Sequence, residues 1–190
     1  MYIFIGGIPA SGKSYLARKI AEKTGALHLD TDTLRKEMSE DPVLKYWVDF
    51  FWNQDEEKYL TKTSCEDHWQ NLVKQSESFW PTILKRIKEV MASNKSAIFE
   101  GVNILPHLAK KDLNFPGIYL LGDSFEQILE RNKKNPRWGN TEKFQELEAK
   151  LFFECDGEKY KEEAEKYEYR TFNTSEAAEK ELLMLLNNYG

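Results

Sequence analysis

Gly7-Ile8-Pro9-Ala10-Ser11-Gly12-Lys13-Ser14 decides the reading of this chain. The apolar run Tyr2 to Ile5 precedes it, and the helical face Leu16, Ala17, Ile20, Ala21 follows it. A polyanion needs several donors converging on it. A Gly-rich turn lets successive backbone N–H groups point inward, and the helix that follows presents its positive end. Gly7 and Gly12 permit close approaches that a side chain would block. At this spacing Lys13 reaches the β- and γ-phosphates of a nucleotide and the Ser14 hydroxyl binds Mg²⁺. Two fixed Gly with Lys and Ser/Thr should arise by accident in about one such chain in a hundred or fewer, Gly being roughly 7% of average sequence. The expectation is a nucleotide-binding loop over residues 7 to 15, Tyr15 included.

Outward from the loop lie three more apolar runs, Ala26 to Leu29, Ala97 to Phe99 and Gly117 to Leu121, and a weaker one, Tyr169 to Phe172. Continuous apolar runs are how buried parallel strands read. Helical patterns separate them. Gly25 suits the end of the first helix; Phe125, Ile128 and Leu129 mark another, and Leu182, Leu183, Leu185 and Leu186 a last one. The alternation predicts an α/β fold, a five-stranded parallel sheet in a three-layer α/β/α sandwich. Between the second and third strands, residues 34–95 read as a helical insertion, with Pro42 and Pro81 as starts or kinks and Phe79, Ile83, Ile87 and Met91 on one face. The insertion is rich in aromatic residues, which suit core packing or a pocket wall. Residues 154–168, rich in Glu and Lys, read as a solvated helix face with Glu162 and Lys166 one turn apart.

The 190 residues suit one domain, and the net charge of −5 argues against a general nucleic-acid or anionic-membrane binder. No apolar run approaches the roughly 20 residues of a membrane helix, and the N-terminus lacks the basic start of a signal peptide. Cys65 and Cys155 have no metal-ligand spacing and form no framework, so a reduced, cytoplasmic protein is expected. His28 reads as a packed strand residue, and His68 and His107 suggest no metal site. The oligomeric state is left open.

The loop alone does not separate kinases, GTPases and motor-type ATPases. The nearest string to a guanine-reading Asn-Lys-x-Asp is Asn132-Lys133-Lys134-Asn135, which lacks the Asp, and no Asp-x-x-Gly occurs. The third strand ends Ile98-Phe99-Glu100-Gly101, with one acid rather than two. Parallel strands deliver ligand contacts at their carboxyl ends. Leu29-Asp30-Thr31-Asp32-Thr33-Leu34-Arg35 should therefore emerge beside the loop. Asp32 would take the proton of an acceptor hydroxyl or, with Ser14, Asp30 and Glu100, hold Mg²⁺ partly through water; it would also serve as a plain helix N-cap. Arg35 would clamp an anionic group on the acceptor. Glu100, Gly101 and Asn103 reach the same rim as acceptor contacts. Arg131 and Arg137 would stabilise the transferring phosphoryl group from a lid over about 131–145.

This pattern resembles the adenylate-kinase-like group of P-loop small-molecule kinases, and within it 2-phosphoglycerate kinase and its relatives. Thr31-Asp32-Thr33-Leu34-Arg35-Lys36-Glu37-Met38 resembles that family's Thr-Asp-x-Ile-Arg-Glu-x-Met stretch. Gln75-Ser76 resembles a Gln-Ser in its inserted helices, and Phe99 to Pro106 resembles its Ile-Glu-Gly-Val-His-Leu-Val-Pro, with Asn103 where the family has His. The Arg131 to Arg137 region does not match its lid closely. With the loop starting at residue 7, the regulatory N-terminal domain of that family is expected to be absent. The resemblance implies a P-loop NTPase fold and transfer of phosphate from ATP, with Mg²⁺, to a small, anionic, hydroxyl-bearing acceptor, 2-phosphoglycerate-like compounds among them. An ATP-binding regulatory module and a nucleic-acid end kinase are the competing expectations.

Overall fold

The structure is a computed structural model that describes residues 1–137, 139 and 141–188. Five strands, β1 (Tyr2–Gly7), β2 (Leu27–Asp30), β3 (Ala97–Glu100), β4 (Gly117–Leu120) and β5 (Arg170–Phe172), form one sheet. Every pairing is parallel and the order is β2-β3-β1-β4-β5. The five apolar runs in the sequence are these strands, displaced by a residue or two at their ends.

Strand side chains alternate between faces, and each face has its own core. Ile3, Ile5, Ile98, Ile118 and Leu120 pack under α1 (Lys13–Thr24) and α10 (Ser175–Asn188), whose Leu16, Ile20 and Leu182 are fully buried. Phe4, Phe99 and Tyr119 face the other layer, built by α5 (Cys65–Ala92), α6 (Pro106–Asp112) and α9 (Gly157–Lys166). This is a three-layer α/β/α sandwich.

Gly25 ends α1 at φ 69 with nothing within 4 Å of where a Cβ would sit. Gly25→Ala is therefore a pure test of left-handed backbone cost: about 1–2 kcal/mol of stability should be lost, and Gly25→Asn should recover part of it in a denaturant titration.

The insertion between β2 and β3 is segmented rather than continuous. A 3₁₀ turn (Thr31–Leu34) leads into α2 (Arg35–Met38), α3 (Pro42–Asp49), α4 (Glu56–Lys62) and α5. The caps explain the breaks. Asp41 accepts from Val43 and Leu44 N–H ahead of Pro42, Asp55 caps α4, and Ser64 caps α5. Pro42 thus starts a helix, whereas Pro81 lies inside the 28 residues of α5. Phe79, Ile83 and Ile87 are buried along α5, as their spacing predicts.

After β4, α7 (Phe125–Lys134) and α8 (Glu142–Lys150) follow, and a π-helical stretch (Leu151–Asp156) joins α8 to α9. The Glu- and Lys-rich run is only half solvated: Glu162 and Lys166 are exposed, but Cys155, Asp156, Tyr160 and Ala164 are buried. Tyr160 packs on Trp69 and Tyr119 and donates its hydroxyl to the Val102 carbonyl. The cysteine expectation is corrected. Cys65, at the start of α5, and Cys155, in the π-helical stretch, are joined as a disulfide across 90 residues of chain. Spacing in sequence carries no information about that meeting, because the tertiary fold alone brings α5 beside the segment after α8. Among the described residues no helix is long and apolar enough to cross a membrane.

Candidate active site

β1 is the central strand and pairs with β3 on one side and β4 on the other. The chain therefore changes direction across the sheet at the end of β1, where ligand crevices form in open parallel sheets. The phosphate loop occupies that point. A Cβ on Gly7 (φ 130) would lie 2.1 Å from the Leu120 carbonyl oxygen, so only glycine fits between β1 and β4. Ala10 (φ 57) and Gly12 (φ 99) also take positive φ, which curls the loop.

α1 begins with no side-chain cap and no acid in its first turn. Its first N–H groups are left for a ligand, and its positive end carries no internal counter-charge. Lys13, 5% exposed, donates from Nζ to the Ile8 carbonyl at 2.7 Å. Burial lowers its pKa to about 8, partly offset by Glu100 and Asp32 and aided by Arg137. Ser11 Oγ donates to the same carbonyl at 2.9 Å. Arg131, in the last turn of α7, donates to the carbonyls of Ala10 and Ser11 at 3.3 and 3.0 Å, so it braces the loop from outside. Tyr15 is 58% exposed, with Lys19 over its ring, and is not among the residues that line the cavity described below.

Asp30 and Glu100 are register partners at the carboxyl ends of β2 and β3. Asp30, not Asp32, caps the 3₁₀ turn, accepting the Asp32 N–H at 2.9 Å. Asp32 is released from that duty. Burial, then the charges of Glu100 and Asp32, raise Asp30 to about 6. Asp32 Oδ1 is buried without a hydrogen-bond partner among the described residues and lies 4.0 Å from Arg35 Nη2. Glu100 is 1% exposed, beside His28 Nε2 at 3.4 Å, and sits under the site rather than on its surface. A Cβ on Gly101 would lie 2.0 Å from Thr31 Oγ1, which donates to the Glu100 carbonyl. Gly101 therefore lets β3 approach the turn after β2. Arg35 Nη2 donates to Asn103 Oδ1 at 2.9 Å, and its guanidinium lies 5.3 Å over the Phe79 ring.

A cavity of about 370 Å³ opens over these groups, with Pro9, Ser14, Asp30, Asp32, Arg35 and Arg137 on its walls. The insertion supplies Phe51, Trp52, Leu72 and Gln75. Arg137 reaches the same cavity as Ser14 although they are far apart in sequence; part of the expected lid, residues 138 and 140, lies outside the described residues.

Three titratable lining residues are not among the sequence candidates: Glu148, His68 and Asp156. His68 Nε2 faces Asp156 Oδ1 at 3.0 Å while its Nδ1 meets the Tyr59 hydroxyl at 3.0 Å. Glu148 sits in a Glu-rich helix, where its acid looks like any solvated one, yet it is 1% exposed and accepts from Asn132 at 3.0 Å. Among the described residues, no three His, Cys, Asp or Glu side chains are grouped to hold a metal by themselves.

Residues 3–109, more than half of the 190, match the family model described as AAA domain. The chain belongs to the AAA domain family. Solved structures of similar shape include a shikimate kinase from Acinetobacter baumannii in complex with shikimate, with a TM-score of 0.57, 18% identity, and 98% of this chain and 93% of that one covered. A deoxyadenosine kinase from M. mycoides with bound dATP has a TM-score of 0.54 and 17% identity, covering 98% and 99%. No curated protein sequence matches the chain. At these identities the likeness establishes the P-loop fold.

One consequence for this AAA domain comes from Glu148. Burial raises it from 4.5 to about 7, with Glu56 adding to the shift and Asn132 and Arg137 opposing it. The native state therefore holds this proton more tightly than the unfolded chain, and stability falls as pH rises from about 4.5 to 7. Glu148→Gln keeps the acceptor for Asn132 and removes the charge. The variant should melt higher than the parent at pH 8 and match it at pH 4. Asp30 contributes a similar slope between about 4 and 6, which the variant retains.

Proposed function

We propose that this chain transfers the γ-phosphoryl group of ATP to a hydroxyl of a small, anion-bearing acceptor, with 2-phosphoglycerate-like compounds among the candidates. The observation that carries the reading is one cavity shared by the phosphate loop, at Ser14, and by Asp32 and Arg35. A buried carboxylate oxygen lacking a donor beside such a loop suits a hydroxyl proton, which transfer requires and nucleotide binding alone does not. Asp32 Oδ1 is that oxygen, and an acceptor hydroxyl would supply the donor. The two kinases of similar shape, solved with shikimate and with dATP, lend the reading support.

In the proposed reaction the loop N–H groups and Lys13 hold the β- and γ-phosphates. Asp32 orients the acceptor hydroxyl and accepts its proton, and Arg35 binds the acceptor's anion. Arg137, on the cavity wall, faces the charge that spreads over the transferring group, and Arg131 keeps the loop in shape. Most of the rate comes from positioning and electrostatics, because the transition state is loose. Ser14, Asp30 and Asp32 line the cavity and would hold Mg²⁺, with the charge of Glu100 beneath them. Mg²⁺ characteristically takes one or two carboxylates plus substrate phosphates instead of an all-protein cage. When bound it supplies charge neutralisation at the β- and γ-oxygens.

The test is transfer from γ-labelled ATP into a panel of hydroxy acids and phosphorylated hydroxy compounds. Label should enter an anionic alcohol. Label in no compound while ATP still binds would leave a regulatory nucleotide site and end this reading.

A further inference from the structure

Arg35 does not stand alone. Its Nη2 donates to Asn103 Oδ1 at 2.9 Å. Asn103 Nδ2 donates to Gln75 Oε1 at 3.2 Å and to Ser76 Oγ at 2.8 Å. Gln75 Nε2 donates to the Trp47 carbonyl at 2.7 Å. Asn103, Gln75 and Ser76 are all at most 2% exposed. The direction of this chain is set by its ends. Guanidinium has donors only, and a backbone carbonyl accepts only. Two amides between them satisfy every link in one orientation: each turns its oxygen toward the arginine end and its nitrogen toward Trp47. Flipping either amide would place donor against donor or acceptor against acceptor in a dry interior, where an unmatched polar group is costly.

The chain joins three separate pieces of the fold. Trp47 lies in the last turn of α3, where carbonyls run out of intrahelical donors. Gln75 is in the middle of α5, and Asn103 follows β3. Two and three residues past α3 come Phe51 and Trp52, which line the cavity. The guanidinium also lies over the Phe79 ring, and Asp32 approaches the same Nη2 at 4.0 Å.

We propose that Gln75 is a positioning residue for Arg35, locking one edge of the guanidinium through Asn103 so that its remaining N–H groups present a fixed fork to an oxyanion in the cavity, and tying that fork to the aromatic wall after α3. This rests on the reading of Arg35 as the acceptor's anion clamp. A fixed fork matches a carboxylate or phosphate held by two parallel bonds. Without Gln75 the Asn103 amide can turn, and Arg35 must order its own side chain at each binding event.

Two measurements test it. First, protein saturated with Mg²⁺ and a non-hydrolysable ATP analogue, which fills the phosphate loop, is titrated with inorganic phosphate by calorimetry. Gln75→Met should weaken phosphate roughly tenfold, as lost supporting contacts do around other anchored ligands, with the affinity for the analogue unchanged. Gln75→Glu, which keeps the acceptor that Asn103 needs but sets a second acceptor against the Trp47 carbonyl, should recover only part of the loss. Unaltered phosphate affinity in Gln75→Met, with Arg35→Ala abolishing binding, overturns the role of Gln75 and leaves the clamp standing. Phosphate that binds neither the parent nor any variant, or binds Arg35→Ala as tightly as the parent, overturns the clamp itself. Second, nitrogen NMR of the parent protein should give resolved Arg35 Nη signals, reporting a guanidinium that does not rotate freely. Averaged signals overturn the proposal even where Gln75→Met fails to fold.

Discussion

Lys13→Met should lower the proposed phosphoryl transfer by at least about 10²–10³-fold while leaving the protein no less stable. The first half follows from the place of the ammonium. It is buried, carried at the start of α1, and donates to the Ile8 carbonyl within the loop. A preorganised donor in a water-excluded site is worth about 10²–10³ in rate when removed, and a full positive charge facing phosphates belongs at the upper end. The second half follows from the cost of keeping it there. Burial holds its pKa at about 8, below the ordinary 10.5, so the folded state disfavours the charged form that methionine replaces. Between about pH 8 and 10.5 the unfolded chain binds this proton and the native protein does not. Parent stability should rise across that window, and the variant should lack the rise. ATP affinity in the parent should weaken as pH climbs through about 8, because the free site then loses its ammonium. Transfer assays, thermal melts and ATP titrations at pH 7 and 9 check all four. A variant that retains transfer within tenfold would remove the loop from the chemistry.

Asp32→Asn should cut turnover by about 10²–10⁴-fold, the span of a lost positioned general base, and change ATP affinity by no more than a few fold. The asymmetry is geometric. Asp32 shares the cavity with Ser14 and Arg35, its Oδ1 lacks a donor, and its backbone N–H is already engaged by Asp30. Asparagine preserves the shape and the Asp30 contact but cannot take a proton. The loss of its charge also lets the Lys13 pKa fall a little, since Asp32 is one of the groups that raise it. Single-turnover kinetics with the acceptor found by the labelling panel separate this from a binding defect. Normal turnover in Asp32→Asn would show that the hydroxyl is oriented elsewhere, with Asp30, at about 6, the next acid on the same rim.

The phosphate loop was legible because its requirements are local. Gly7 and Gly12 meet backbone demands within a few residues, and Lys13 and Ser14 fall at fixed offsets from them. The three inner strands β1, β3 and β4 were legible for a similar reason, since burial on both faces leaves an unbroken apolar run, whereas the edge strands β2 and β5 are only partly buried. Asp32 and Arg35 were placed by the rule that ligand contacts gather at carboxyl ends of parallel strands, although Asp30 takes the capping role that also suited Asp32. Gln75 and Asn103 were legible as residues, through family likeness, but not as a connected chain.

What the sequence alone determined is the nucleotide end of this protein: a loop, its lysine, and a parallel sheet to carry them, all encoded by spacing over fewer than ten residues at a time. What only the tertiary structure decided is the far wall of the cavity beside that loop. Glu148, His68 and Asp156 come to one cavity from α8, α5 and the π-helical stretch. Cys65 meets Cys155 across 90 residues, and Arg35 is aimed by an amide in α5. No short-range pattern records these meetings, because each depends on how separate helices pack rather than on the order of residues within any one of them.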